Sequence, residues 1–140
     1  APVYVAWSER NRSPLVRVPA RRGVGTRLEV RNPDPSCNPY LALAVMLAAG
    51  LEGIKQELEP PPPVDQNIYR MSAREREELD IESPPGTLKA AIDNMKASSF
   101  MRRVLGDHIF DRFIEAKELE WNLYTSQVHD WELEQYLNTF

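Results

Sequence analysis

At 140 residues, 42% hydrophobic and 27% charged, the chain is long enough to fold as one domain around its own core. Its net charge of −4 conceals an asymmetry: residues 1–35 carry seven arginines, no lysine and three acids (Glu9, Glu29, Asp34), a net of +4. Cys37 is the single cysteine, which excludes an internal disulfide and a Cys-based zinc site, and the longest apolar run, Tyr40 to Leu51, is too short to cross a bilayer. No membrane partner is expected, and the simplest compartment is the cytoplasm.

In chain order, Ala1 to Ser8 alternates Val3, Val5 and Trp7 against Tyr4 and Ala6, which predicts a strand ending in the polar turn Ser8-Glu9-Arg10-Asn11. Pro14–Val18 and Thr26–Arg31 alternate in part, and the basic stretch between them contains Gly23 and Gly25. They predict an antiparallel pair joined by a wide loop. Strand side chains alternate faces, so Arg27, Glu29 and Arg31 share one face, while Leu28 and Val30 turn towards a core. One carboxylate between two guanidiniums suits anion binding, with the glutamate available to a cation; a plain ion-pair ladder on a solvated sheet is the other reading. Nucleic acid is disfavoured as a partner. Lysine is absent from this end, and no helix-turn-helix, zinc-finger or aromatic RNA-binding signature follows.

Beyond Asn32-Pro33-Asp34-Pro35-Ser36, Asn38 caps a predicted helix with Pro39 at its first position, running to about Glu57. From Tyr40 to Leu51 it is apolar all round, which predicts burial on every side, and Gly50 and Gly53 suggest close approach of another backbone. Pro60–Pro63 stops it in an extended polyproline conformation, and Val64 to Tyr69 is a loop. Ser72 with Glu75 forms a capping box for a short charged helix to about Asp80. Thr87 caps a segment with Leu88, Ala91, Ile92 and Met95 on one face, and Ser98 or Ser99 caps another with Met101, Val104 and Leu105. Gly106 separates this from a long amphipathic helix capped by Asp107, whose stripe is Ile109, Phe110, Phe113, Ile114, Trp121 and Tyr124. Asp130 caps a last helix bearing Trp131, Leu133, Tyr136, Leu137 and Phe140, and that much apolar area at a terminus needs a host. His108 and His129 have no metal-ligand neighbours at helical spacing and read as structural or surface residues. The fold class is therefore α+β: mostly helical, with a small antiparallel sheet at the N-terminus.

Asn11-Arg12-Ser13, Leu15-Val16-Arg17-Val18-Pro19, Thr26-Arg27-Leu28-Glu29-Val30-Arg31, Pro33-Asp34-Pro35 and Asn38-Pro39-Tyr40-Leu41-Ala42 resemble, in order and spacing, the C-terminal part of type I glutamine synthetase. The likeness continues through Asp65-Gln66-Asn67-Ile68-Tyr69 and Gln127-Val128-His129, and is nearest to the short, Gram-positive-like subgroup. It implies that residues 1–140 are a C-terminal piece of that family's catalytic domain, with active-site strands in 1–35 and a helical region in 36–140 ending in an oligomerisation tail, 128–140. The implied reaction is ATP-dependent ligation of ammonia to glutamate through γ-glutamyl phosphate, with Mg2+ or Mn2+ as cofactor and ATP as co-substrate. By resemblance Arg12 is catalytic and contacts the transferring phosphate and glutamate, Arg17 and Arg27 bind ATP, Arg31 binds glutamate, and Glu29 is a metal ligand. The implied partner is the protein itself, as a dodecamer of two stacked hexameric rings. Tyr69 matches a loop tyrosine adenylylated in one subgroup. Here Arg70-Met71-Ser72 replaces that subgroup's Asp-Leu-Pro, so modification is not expected. The alternative from another class is a free-standing Arg-rich module for an acidic partner or nucleic acid.

Overall fold

The computed structural model describes residues 3–137; Ala1, Pro2 and residues 138–140 lie outside the described residues, and with them the start of the first predicted strand and Phe140. The chain divides into two compact units, Ala1–Gly86 and Thr87–Phe140.

In the first unit, β1 (Tyr4–Ser8), β2 (Pro14–Arg17) and β3 (Glu29–Val30) form one sheet in the order β1-β2-β3. β2 and β3 are antiparallel as expected, pairing Val16 with Val30 and Arg17 with Glu29. β1, however, runs parallel to β2, with Tyr4 opposite Pro14 and Ser8 opposite Arg17, so the sheet is mixed rather than wholly antiparallel. Parallel neighbours ordinarily need a long crossover. Here five residues suffice, because Ser8 and Asn11 fold the chain back on itself through side-chain bonds to the turn's own N–H groups. The outer edge of β1 is not bare: the Val5 N–H donates to Glu82 O at 2.8 Å and the Val64 N–H donates to Trp7 O at 2.9 Å. Covering an edge in this way removes a template for strand addition.

Pro14, Leu15, Ile68 and Met71 are buried beside the two buried serines, Ser8 and Ser13. The Tyr4 and Tyr69 rings meet edge to face at 5.4 Å, and the Arg76 guanidinium lies 5.4 Å from the Tyr4 centroid. α2 (Ala73–Glu78) starts in the predicted capping box, with Ser72 accepting from the Glu75 N–H and Glu75 accepting from the Ser72 N–H. Leu28 and Val30, expected to face a core, are exposed: β3 is only two residues long, and none of the described residues of this unit buries them.

α1 (Pro39–Lys55) begins where expected: Asn38 Oδ1 accepts from the N–H groups of Tyr40 and Leu41. Its predicted burial on every side is not observed. No residue of α1 is buried, and Tyr40 is 82% and Leu47 66% exposed. The neighbours expected at Gly50 and Gly53 are likewise absent, since a Cβ at either position would meet nothing within 4 Å. The composition describes a helix made for a fully apolar setting, and the described residues do not supply one.

In the second unit, α3 (Leu88–Ala97), capped by Thr87, packs against α4 (Ser99–Thr125), capped by Ser98. Ile92, Phe110 and Ile114 form the core, with Leu88, Met95, Met101, Leu105 and Trp121 partly buried around them. Of the predicted stripe, Ile109 and Tyr124 remain exposed. α4 is two helical segments meeting at Gly106, which has φ 73° and ψ 155°. Arg102 braces the break: its guanidinium lies 4.3 Å from the Phe110 centroid and donates to Asp107 at 2.7 Å and Asp111 at 2.9 Å. The Asp107 carboxylate, expected as a cap, is thus engaged by Arg102. α5 (Asp130–Tyr136) starts one residue earlier than expected, with His129 as its cap and the His129 N–H donating to Glu132. Trp131, Leu133, Tyr136 and Leu137 are all exposed.

Candidate functional site

The arginine cluster is built by the β2–β3 pairing, which puts Arg17 directly across from Glu29. Glu29 Oε2 accepts from Arg17 Nη1 at 2.9 Å, and Glu29 Oε1 accepts from Arg27 Nε at 3.0 Å and Nη2 at 2.6 Å. The second arm is a two-point fork on one oxygen. The carboxylate therefore sits between two guanidiniums as expected, but these belong to Arg17 and Arg27 rather than to Arg27 and Arg31. The side chains of Arg17 and Glu29 are about a quarter exposed (26% and 27%) and that of Arg27 half exposed, so solvent screens the second pair more than the first. Hydrogen bonds from Arg17, then from Arg27, hold the Glu29 carboxyl below its ordinary 4.5. Arg17 Nε is buried with no acceptor among the described residues, an unused donor beside the Glu29 pair.

Arg31 turns the other way. Its backbone N–H donates to Leu15 O at 2.9 Å, and Nη1 donates to the carbonyls of Arg12 and Pro14, the latter at 3.4 Å. One guanidinium nitrogen is thus spent on the main chain beside Arg12, and the remaining donors are left for another acceptor. Arg12 is exposed, and its guanidinium has no partner among the described residues. The structure thereby brings together Arg17, Arg27 and Glu29 in one group, and Arg12 with Arg31 in a second at the other end of β2.

The polar turn after β1 and the loop from Val64 to Tyr69 also join the arrangement. Ser8 Oγ accepts from the N–H groups of Arg10 at 3.2 Å and Asn11 at 2.9 Å, and donates to Asp65 Oδ1 at 2.6 Å. Asn11 Oδ1 accepts from Ser13 N, while Asn11 Nδ2 donates to the carbonyls of Gln66 and Val64. Ser13 Oγ accepts from Ile68 N at 3.3 Å. Both segments carry the family resemblance, but their separation of more than fifty positions hides the pairing in sequence.

A divalent ion fits Glu29 only as one ligand among several. The carboxylate is a hard oxygen donor of the right kind, but both its oxygens are engaged by arginines. Among the described residues, no group of three or more His, Cys, Asp or Glu side chains is placed to hold a metal. A shallow depression lined by Ala73, Arg76, Glu77, Asp80, Ile81 and Glu82 contains none of the arginine-cluster residues. Among the described residues, no helix is long and apolar enough to cross a membrane.

Two guanidiniums, of Arg17 and Arg27, are held around one carboxylate on a short sheet, and arginine is a residue type suited to phosphate and carboxylate groups. Comparison with known proteins gives this arrangement its family. The model of the glutamine synthetase catalytic domain matches residues 1–136, and the chain belongs to that family. It is 54% identical over 140 residues to a glutamine synthetase of Thermus thermophilus, covering 100% of this chain and 31% of the relative. It is 56% identical over 138 residues to one of Methanosarcina mazei, covering 99% and 31%. A solved structure described as apo GmaS without ligand superposes with a TM-score of 0.82 at 33% identity, covering 98% of this chain and 30% of that one. The chain thus spans about a third of the length of these relatives. The free-standing module for an acidic partner or nucleic acid finds no support in these matches.

Proposed function

We propose that this chain is one wall of a glutamine synthetase active site, and that the whole protein joins ammonia to glutamate at the expense of ATP. The observation that carries the reading is the identity of more than half its residues with glutamine synthetases along its full length. In the proposed reaction the glutamate side-chain carboxylate attacks the γ-phosphorus of ATP, ADP leaves, and ammonia displaces phosphate from the γ-glutamyl phosphate. Such a transfer asks for charge on the equatorial oxygens and for alignment rather than covalent chemistry from the protein.

Each residue can be given a task. Arg17 and Arg27 exchange from Glu29 to the ATP phosphates, and the orphaned Arg17 Nε gains an acceptor in that exchange. Arg12, exposed and unpartnered, meets the phosphoryl group in flight and the glutamate carboxylate. Arg31 keeps Nη1 on the Arg12 and Pro14 carbonyls and offers its other donors to the substrate glutamate. Glu29 contributes one carboxylate to a Mg2+ or Mn2+ ion, which when bound supplies screening of the polyphosphate charge. The exposed α5 aromatics support residues 128–140 as a connector between subunits, in a dodecamer of two stacked hexameric rings in the cytoplasm.

The test is made on the full-length enzyme. Arg12→Ala is expected to lower kcat on the order of 10³-fold with little change in the KM for ATP, because its charge matters most in the transition state. Arg31→Ala is expected to raise the KM for glutamate selectively. Equal, small effects of both substitutions on both substrates overturn these assignments.

A further inference from the structure

The Arg12 carbonyl accepts from Arg31 Nη1 but its guanidinium has no partner among the described residues, and Arg12 sits between two of the most constrained residues of the first unit. On one side, Asn11 is fixed four times: its N–H by Ser8 Oγ, its Oδ1 by the Ser13 N–H, and its Nδ2 by the carbonyls of Val64 and Gln66. On the other, the Ser13 hydroxyl receives Ile68 N, and both Ser13 and Ile68 are buried. Ser8, fully buried, ends the chain of contacts by donating to Asp65. The same loop is stitched to β1 by Trp7 Nε1 donating to Pro61 O at 2.6 Å and by Val64 N donating to Trp7 O. Every side-chain bond in this set reaches from the 7–13 turn to residues 61–68 or closes the turn itself. None reaches the guanidinium of Arg12.

We propose that Asp65, through Ser8 and the Asn11 turn, is a positioning residue for Arg12, and that the 61–68 loop is a splint aiming that guanidinium at the transferring phosphate. Asp65 is the one carboxylate of the set. Its oxygen takes the only proton of the Ser8 hydroxyl, which leaves that oxygen's lone pairs for the N–H groups of Arg10 and Asn11. Without Asp65 the buried Ser8 hydroxyl loses the acceptor for its proton, and nothing in this set then fixes its rotation with its lone pairs on the Arg10 and Asn11 N–H groups. A displacement of about 1 Å at a catalytic group can cost about 100-fold in rate without loss of binding. The proposal rests on the assignment of Arg12 made above.

The experiment is a double-mutant cycle in the full-length enzyme, reading kcat and both KM values. Asp65→Ala is expected to lower kcat about 10- to 100-fold while the KM values for ATP and glutamate stay within about twofold. Asp65→Asn keeps an oxygen for the Ser8 hydroxyl and is expected to recover most of that loss. In an Arg12→Ala background, Asp65→Ala is expected to lower kcat little further, because residues that act through one another are not additive. A full multiplicative loss in that background, or an unchanged kcat in the single variant, overturns the proposal. Asp65 is exposed, so truncation opens no cavity. Should Asp65→Ala nevertheless fail to fold, Asp65→Glu keeps the charge, shifts the acceptor by one methylene and is scored in the same cycle. An Arg12→Ala enzyme with undiminished kcat sinks the catalytic assignment itself, whereas a crippled Arg12→Ala beside an inert Asp65→Ala sinks only the splint.

Discussion

Replacing Gly106 by alanine separates backbone cost from packing cost in the helical unit. Gly106 has φ 73° and ψ 155°, a region essentially reserved for glycine, and a Cβ built there meets no atom within 4 Å. The penalty is therefore conformational, about 1 to 3 kcal/mol for holding an L-residue in this region. Alanine returns about 0.4 to 1 kcal/mol by restricting the unfolded chain. The net expectation is a destabilisation of about 0 to 2.6 kcal/mol, centred on about 1.3 kcal/mol, which at that centre lowers Tm by roughly 5 to 10 °C for a unit of this size. Urea titration followed by circular dichroism reads it directly. The competing outcome is that alanine, the best helix former, straightens Ser99–Thr125 into one rod. A Gly106→Ala chain that is more stable and more helical than the parent would show that the kink stores no structure and would refute the reasoning.

Two further outcomes concern charge and assembly. Because Glu29 titrates below 4.5 in the folded chain, its ion pairs contribute fully above that pH and are lost as the pH falls through the lowered value. The urea-midpoint gap between the parent and Glu29→Gln should accordingly be constant near neutrality and close on acidification below 4.5; a gap independent of pH argues against the pairs. Deleting residues 128–140 from the full-length enzyme is expected to convert twelve-membered particles into six-membered rings by light scattering, whereas an unchanged mass makes the tail part of its own subunit.

Local rules carried the sequence reading a long way. Asn38, Ser72, Thr87 and Ser98 cap helices where their side chains and spacing predict, and Gly106 breaks α4 where the apolar stripe is interrupted. Strand direction was not legible, since alternation reports which face is buried and not which way the chain runs. β1 lies parallel to β2 only because a serine and an asparagine fold a five-residue turn back on itself. At the site, Arg27 was legible as a partner of Glu29 from strand alternation, but Arg17 in place of Arg31 as the other partner was not. Arg31 lies on the Glu29 side of the alternation yet bends to the Arg12 carbonyl, a preference set by tertiary contacts. The polar clamp at Asp65 was invisible for the same reason. Burial of α1 was read from its composition, and composition records the setting a helix is made for rather than which residues provide it.

The two units also differ in how far their chains must travel to close. Ile92 and Phe110 meet across 18 positions in the α3–α4 hairpin, whereas Ser8 and Asp65 meet across 57. At equilibrium the longer loop costs only about 1 kcal/mol more. In time the difference is larger, because near-neighbour contacts form early and strand pairings between distant segments wait for loops to close. When the whole chain refolds from the unfolded state, the helical unit is thus expected to hold its shape first, and the turn that carries Arg12 among the last. A lesion in the 61–68 loop would then leave helical content and the Phe110 core intact while the arginine turn arrives late, or in the wrong place.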